Sequence, residues 1–277
     1  MKQTYTWGLM LVAPALALIA ALFLYPLALS VGLAFTGPGG QIGVANFQKA
    51  FELYSGDIVY TIFIVVTSTL LTGAFAIMIA GALTMGETPW LIAILKWLYR
   101  WPLFVPFIVA AQCMRTFLAK NGMMNNTFVG MGLLDPLQTQ SFLDWRGVIV
   151  TFVWKQTPFV ALLLAGAMAS IDRATIEAGR NLGASRLRAL IELVIPQVSR
   201  TLFVGLVLSF VTMMSVLSVP MMVAGSQPTM MTVDMAFRIT SYGDYGVANA
   251  LGVISYLITA FAAWFYLRHN LSERGQA

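Results

Sequence analysis

The chain has 277 residues, 59% of them hydrophobic and only 10% charged, with a formal net charge of +5. So large an apolar fraction cannot be hidden in a water-soluble core, which excludes a soluble globular protein and implies an integral membrane protein. A single cysteine, Cys113, and a single histidine, His269, exclude a disulfide framework, a thiolate metal site and a His-based metal or catalytic site.

Apolar runs of about 20 residues, enough to cross roughly 30 Å of hydrocarbon, predict an all-α polytopic membrane protein. It forms one domain over residues 1–277 with six transmembrane helices near 7–35, 58–85, 91–118, 148–169, 202–224 and 245–268. The first run follows one positive charge, Lys2, and no cleavage site comes after it, so it reads as a retained span. Gly37-Pro38-Gly39-Gly40, next in the chain, reads as a turn: it lacks the lysine of a phosphate-binding loop, and no G-x-x-x-x-G-K-[ST] occurs anywhere. The third run enters hydrocarbon only after Arg100, and Gln112, Arg115 and Thr116 share a face towards its far end.

The fourth run carries Lys155, with Thr151 one turn away on the same face. An intramembrane lysine costs about 2.5–3.5 kcal/mol unless it finds a partner or water. Two readings stand: contact with an anionic or hydroxyl-rich solute, or a structural lysine held by an acid or by carbonyls at a subunit interface.

Between the fourth and fifth runs lies the most polar part of the chain, IDRATIEAGRNLGASRLRALIELVIP at 171–196. Asp172 is placed to cap a short helix, Gly183 to end it in a left-handed turn, and Ser185 to cap a second short helix that stops before Pro196. Ile176, Ala178, Gly179 and Leu182 leave little bulk on the first helix, so a partner can approach its backbone, with Glu177, Arg173 and Arg180 available for ion pairs. The fifth run carries Gly205, Ser209, Thr212 and Ser215 at helical spacing, and the sixth Asn249, Gly252, Tyr256 and Thr259. Polar residues inside spans mark a path for solute, although small ones also let helices pack closely. The candidate path is Lys155, Thr151, Thr212, Ser209, Ser215, Asn249 and Gln112.

With six spans and both ends on one side, that side collects Lys2, Lys96, Arg100, Arg173, Arg180, Arg186, Arg188, Arg200, Arg268 and Arg274, ten of the sixteen basic residues. The positive-inside bias then puts both termini and the 171–196 segment in the cytoplasm. The basic residues report topology; no soluble basic face interleaved with aromatics exists to bind nucleic acid.

Glu177-Ala178-Gly179, then Gly183, then a closing Ile195-Pro196 resemble the EAA signature of permease subunits of binding-protein-dependent type I ABC importers, with Gly179 in place of the third-position Ala. Gly43-Val44-Ala45-Asn46-Phe47, Asn121-Gly122-Met123-Met124-Asn125 and Trp154-Lys155-Gln156-Thr157-Pro158-Phe159 also resemble stretches of these permeases. The resemblance implies that Glu177, Ala178, Gly179, Gly183, Arg173 and Arg180 couple to an ATPase through a cytoplasmic coupling helix. It also implies that this chain is not itself an enzyme. ATP and Mg belong to the partner, and this chain binds no cofactor. The implied assembly holds two ATPase copies, a second permease of different sequence and a periplasmic or extracellular solute-binding protein, all at a bacterial inner membrane. Loops near 37–57, 120–145 and 225–244 would meet the binding protein. On solute the likenesses conflict: Arg180 to Ser185 resembles polyamine, phosphonate and ferric-ion systems, whereas Trp154 to Phe159 and Ala224 to Thr232 resemble sugar systems.

Two other classes fit less well. An ion-coupled secondary carrier would show an internal repeat with buried acids, but the acids here fall in loops. A membrane enzyme would show a nucleophile, base or metal-ligand cluster, and neither H-E-x-x-H nor G-x-S-x-G occurs.

Overall fold

The computed structural model describes residues 12–37, 39–224 and 228–272, and these are helical, with one isolated bridge between Thr36 and Ile42. Lys2, Pro38 and Arg274, named above, lie outside the described residues, as do residues 225–227 and the side chains of Arg173 and His269. The helices are α1 (Val12–Ala34), α2 (Ala45–Met85), α3 (Pro89–Phe104), α4 (Phe107–Leu118), α5 (Met123–Gly130), α6 (Trp145–Ala169), α7 (Arg173–Asn181), α8 (Arg186–Ser215), α9 (Ser218–Val223), α10 (Met231–Tyr242) and α11 (Tyr245–Ser272).

Among them α1, α2, α6, α8 and α11 are each long and apolar enough to cross a membrane; a sixth span arises only by counting α3 with α4 and α5 as one broken span, bent by 109°. The straight third span over 91–118 is therefore corrected. Pro106 has no amide hydrogen for the Pro102 carbonyl one helical turn back. The chain tightens into a 3₁₀ turn over Trp101–Phe104, turns extended at Val105 and restarts at Phe107.

The helix that carries the fifth span is longer than expected, because the short helix capped by Ser185 does not stop before Pro196: α8 runs on to Ser215, and the chain breaks at Val216 before α9. A π turn at Leu190–Val194 lies directly upstream of Ile195-Pro196. An α-helical proline would drive its ring into the carbonyl of Glu192, four residues back, and the wider π register relieves that clash. Gln197 Nε2 then donates to the Leu193 carbonyl at 2.7 Å. The first span repeats the device, with a π turn at Ala20–Leu24 ahead of Tyr25-Pro26.

The chain divides into two compact units, one formed by the residues before Gly56 with Asp234–Leu257, the other by Gly56–Val233 with the residues after Leu257. In the first unit, the buried Asn46 directs its Nδ2 at the carbonyls of Ala34 (3.1 Å) and Thr36 (2.9 Å), capping the end of α1. Asp244 accepts from Lys49 at 2.8 Å and from Arg238 at 3.4 Å, and the Arg238 guanidinium lies over the rings of Tyr54 and Tyr242. Burial pushes the Asp244 carboxyl up, but the Lys49 hydrogen bond, the Val247 amide and the charges of Lys49 and Arg238 outweigh it and hold the group below its ordinary value. Stretches expected as loops near 37–57 and 225–244 are largely helical here, in α2 and α10.

In the second unit α2, α6 and α8 share a core of Ala76, Ala80, Val160, Ala161, Leu164, Met168, Val194, Val198 and Leu202. Small residues at the crossings let backbones approach, as membrane helices require. A Cβ on Gly81 would lie 2.8 Å from Leu190 Cδ2, and one on Gly205 would lie 3.3 Å from Val160. That close packing accounts for the glycine in the fifth span.

Candidate functional site

The segment between α6 and α8 folds as a short helix, a glycine turn and the start of a long helix. Asp172 Oδ1 accepts from the Ala174 amide at 3.0 Å, which caps α7, and Ser185 Oγ accepts from the Arg188 amide at 3.2 Å, which caps α8. Gly183 stands at φ +91. Its amide donates to the Arg180 carbonyl at 2.9 Å, and the Ala184 amide to the Gly179 carbonyl at 3.1 Å. This pair of bonds around a left-handed residue is a Schellman motif. All three local expectations are met.

The four residues expected to leave little bulk on the first helix fall on two faces. Ile176 packs on the α2–α6–α8 core. Gly179 faces Leu193 of α8, whose Cδ1 would lie 2.4 Å from an added Cβ, so glycine replaces alanine where a leucine closes on the helix backbone. Ala178 is exposed, and so is Leu182, at 90%. Leu187 at the start of α8 is 67% exposed. Two uncovered leucines on a knob otherwise made of short and charged side chains form an apolar tip suited to a protein partner. Sequence reasoning had taken Leu182 only as lacking bulk; its lone position in a polar stretch was the available signal.

Glu177 is exposed and lines, with Arg180, Lys96, Arg100 and Thr84, a cavity of about 590 Å³ floored by Leu162, Gly166 and Met168. Arg180 is paired within the chain: its Nη1 lies 3.6 Å from Glu87, and Arg186 contacts the same carboxylate. Glu87, in the turn between α2 and α3, was not foreseen, because its arginines lie far away in sequence.

Lys155 is buried and spends its ammonium on backbone. Nζ donates to the carbonyls of Pro102 at 2.7 Å and Leu103 at 3.3 Å and lies 5.2 Å from the centre of the Phe107 ring. Pro106 cannot give the Pro102 carbonyl the usual i+4 amide; that oxygen accepts the Val105 amide at 3.3 Å and, from Lys155, a second donor, and a cation at this helix end also complements the negative end of the α3 dipole. Of the two readings of Lys155, the carbonyl-bound one describes the structure, and the carbonyls belong to the same chain. Thr151 is fully buried and donates to Gly147 O at 2.7 Å.

The remaining path candidates differ in access. Ser209 is fully buried, Thr212 half-buried and bonded to Leu208 O, and Ser215 exposed and bonded to Thr212 O. Gln112 is exposed on α4. Asn249 accepts from Ser30 Oγ at 2.5 Å and donates to Tyr245 O at 2.8 Å. Among the described residues no cluster of His, Cys, Asp or Glu could hold a metal ion.

Comparison with known proteins places these features. Residues 73–271 match the family model of the binding-protein-dependent transport system inner membrane component. The chain is 26% identical to the sulfoquinovosyl glycerol transport system permease protein SmoG of Agrobacterium fabrum, over 94% of this chain and 89% of that protein. It is 25% identical to a putative 2-aminoethylphosphonate transport system permease protein PhnU of Salmonella typhimurium, over 69% of this chain and 67% of that one. Among solved structures, a chain of a bacterial alginate ABC transporter, in complex with alginate pentasaccharide-bound periplasmic protein, superposes with a TM-score of 0.78. It shares 20% identity over 96% of this chain and 93% of that one, a likeness of fold.

Proposed function

We propose, from the premise that this chain belongs to the family of binding-protein-dependent transport inner membrane components, that its α7–α8 knob is the surface through which an ATPase drives it. As a multi-pass inner-membrane permease it carries solute delivered by a binding protein. The finer reading is that α7 docks on a separate ATP-hydrolysing chain, with Glu177, Ala178, Gly179, Gly183, Arg173 and Arg180 at or behind the contact. Two ATPase copies and a second permease complete the assembly, ATP and Mg sit on the ATPase, and both termini lie on the ATPase side.

The observation that carries this is the exposed Leu182 at the tip of a helix whose two ends are fully capped. An apolar tip on a capped knob gives a protein partner a side chain to grip. In proteoliposomes holding the complex with its ATPase and binding protein, Leu182→Asp should abolish uptake while the chain still inserts at normal level. Wild-type uptake by that variant would refute the docking surface.

For the solute, a hydroxyl-rich glycoside is the class the residues favour. Gln112, Thr212 and Ser215 offer neutral amide and hydroxyl groups, and Lys155 is committed to backbone carbonyls. The sulfoquinovosyl glycerol relative matches nearly the whole chain, whereas the aminoethylphosphonate relative matches 69% of it. ATPase stimulation of the reconstituted complex by glycosides and not by aminoalkyl phosphonates is expected; the reverse preference would overturn the assignment.

A further inference from the structure

We infer that Glu87 is a positioning residue of the coupling machinery, a single carboxylate that ties both arms of the knob to the turn between the second and third spans. The inference rests on the reading of α7–α8 as the ATPase-facing surface and adds the route by which its movement enters the membrane.

Glu87 sits in the three-residue turn Gly86–Thr88 that joins α2 to α3. Its Oε1 contacts the guanidinium of Arg186 and lies 3.6 Å from Nη1 of Arg180. Arg180 is in the last turn of α7 and Arg186 in the first turn of α8, so one acid bridges the two helices that meet at Gly183. The bridge adds to the Schellman bonds and the Gly179–Leu193 contact in fixing the angle between the two arms.

The neighbouring packing shows why an ionic link matters at this level. Deeper in the bundle, α2 and α8 touch where Gly81 meets Leu190. Towards the knob they part around a cavity of about 420 Å³ lined by Met85, Glu87, Leu91, Leu95, Arg186 and Leu187. Across that gap the fork from Glu87 supplies a polar connection. A push on α7 therefore reaches α2 and α3 through the carboxylate and reaches α6 and α8 through the core around Ile176.

The same geometry separates this role from a merely structural one. Glu87, Arg180 and Arg186 are about half exposed, and exposed ion pairs add little to stability. Loss of the carboxylate should leave folding and membrane level intact while loosening the knob. Reversing its charge is worse, because it places a third cation beside two arginines.

The test uses the complete complex with ATPase and binding protein in proteoliposomes, reading solute imported per ATP hydrolysed. Glu87→Gln is expected to lower that ratio severalfold with basal ATP hydrolysis retained. Glu87→Arg should lower it further, and Glu87→Arg with Arg186→Glu should recover at least half of the wild-type value. Spin labels at Thr88→Cys and Leu182→Cys, read on the full chain in detergent, should show a broader distance distribution once Glu87 is neutralised, whether or not the variant assembles with its partners. A wild-type import ratio in Glu87→Gln, no recovery in the charge swap, or an unchanged distance distribution would overturn the proposal. Gly183→Asp is the control. If it uncouples while Glu87→Gln does not, the strut fails and the docking surface stands; if neither uncouples, the docking surface itself fails.

Discussion

Replacing Lys155 by methionine sets two large effects against each other. Methionine keeps the length of the side chain and removes the charge, relieving the penalty for a lysine near the middle of a span, about 2.5–3.5 kcal/mol. Against this stand the bonds to the Pro102 and Leu103 carbonyls, at 2.7 and 3.3 Å, and the Phe107 contact. Hydrogen bonds from charged groups contribute roughly 1.5–3 kcal/mol each, the longer one at the low end, and a desolvated cation–π contact about 1–2 kcal/mol. The sum lost is about 4–7 kcal/mol, so Lys155→Met should destabilise by roughly 1–4 kcal/mol although it makes the span more apolar. The assay is thermal unfolding of purified chain in mild detergent, where the midpoint should fall by several degrees. Lys155→Arg, which keeps a cation, should fall less. An unchanged or raised midpoint in Lys155→Met would show that the carbonyls find other donors and that Lys155 does not brace the broken third span.

Gly183→Asp should abolish solute-stimulated ATP hydrolysis at normal membrane level, since a side chain at φ +91 strains the turn; Glu177→Ala should only reduce it, having removed one exposed charge worth at most about 1 kcal/mol. Gly179→Leu should uncouple in the same way, because Leu193 already occupies the space, whereas Gly179→Ala should be tolerated after a small shift of that flexible side chain; equal effects would refute the close approach. The lowered pKa of Asp244 means that its contribution to stability is complete above the ordinary carboxylate pKa and is lost as pH falls below about 4; Asp244→Asn should remove that acid-side dependence from the unfolding midpoint. Asn125→Asp keeps the shape but loses the amide hydrogens given to Ala119, Lys120 and Gln140 carbonyls, so a marked drop in the yield of folded chain is expected, with Asn125→Gln no full substitute.

The helices and the knob were legible because each follows from a local rule: hydropathy over about 20 residues, Asp172 and Ser185 as caps, Gly183 as a left-handed stop. What was not legible depends on prolines and on distant partners. Hydropathy alone reads Leu91 to Leu118 as one span, yet Pro102 and Pro106 turn it through 109°. The opposite error occurred at Pro196, where a rule that prolines end helices missed the π turn that lets α8 continue. Glu87 could not be found from sequence, since nothing near it announces Arg180 and Arg186. Lys155 was recognised as unusual, but its partners are backbone atoms of a segment whose break had not been foreseen.

The three short stretches that looked like parts of known permeases have one physical task in common. Asn46 gives its amide hydrogens to carbonyls at the end of α1, Asn125 to carbonyls after α4, and Lys155 to carbonyls at the break in α3. Each supplies extra donors where a helix ends or breaks and backbone acceptors lose their regular helical partners. A side chain with several hydrogens on one nitrogen suits that task, which restricts it to a few residue types. Likeness in such a stretch therefore reports how the chain is folded and not what it carries. The Trp154 to Phe159 stretch, one of those behind the sugar-like signal, holds the brace of a broken helix, and the Arg180 to Ser185 stretch behind the other signal is the turn of the knob. Solute preference must be sought in groups with no such duty, and Gln112 and Thr212, on open or half-open helix faces, are where substitutions should change which solute stimulates the complex without changing how well it folds.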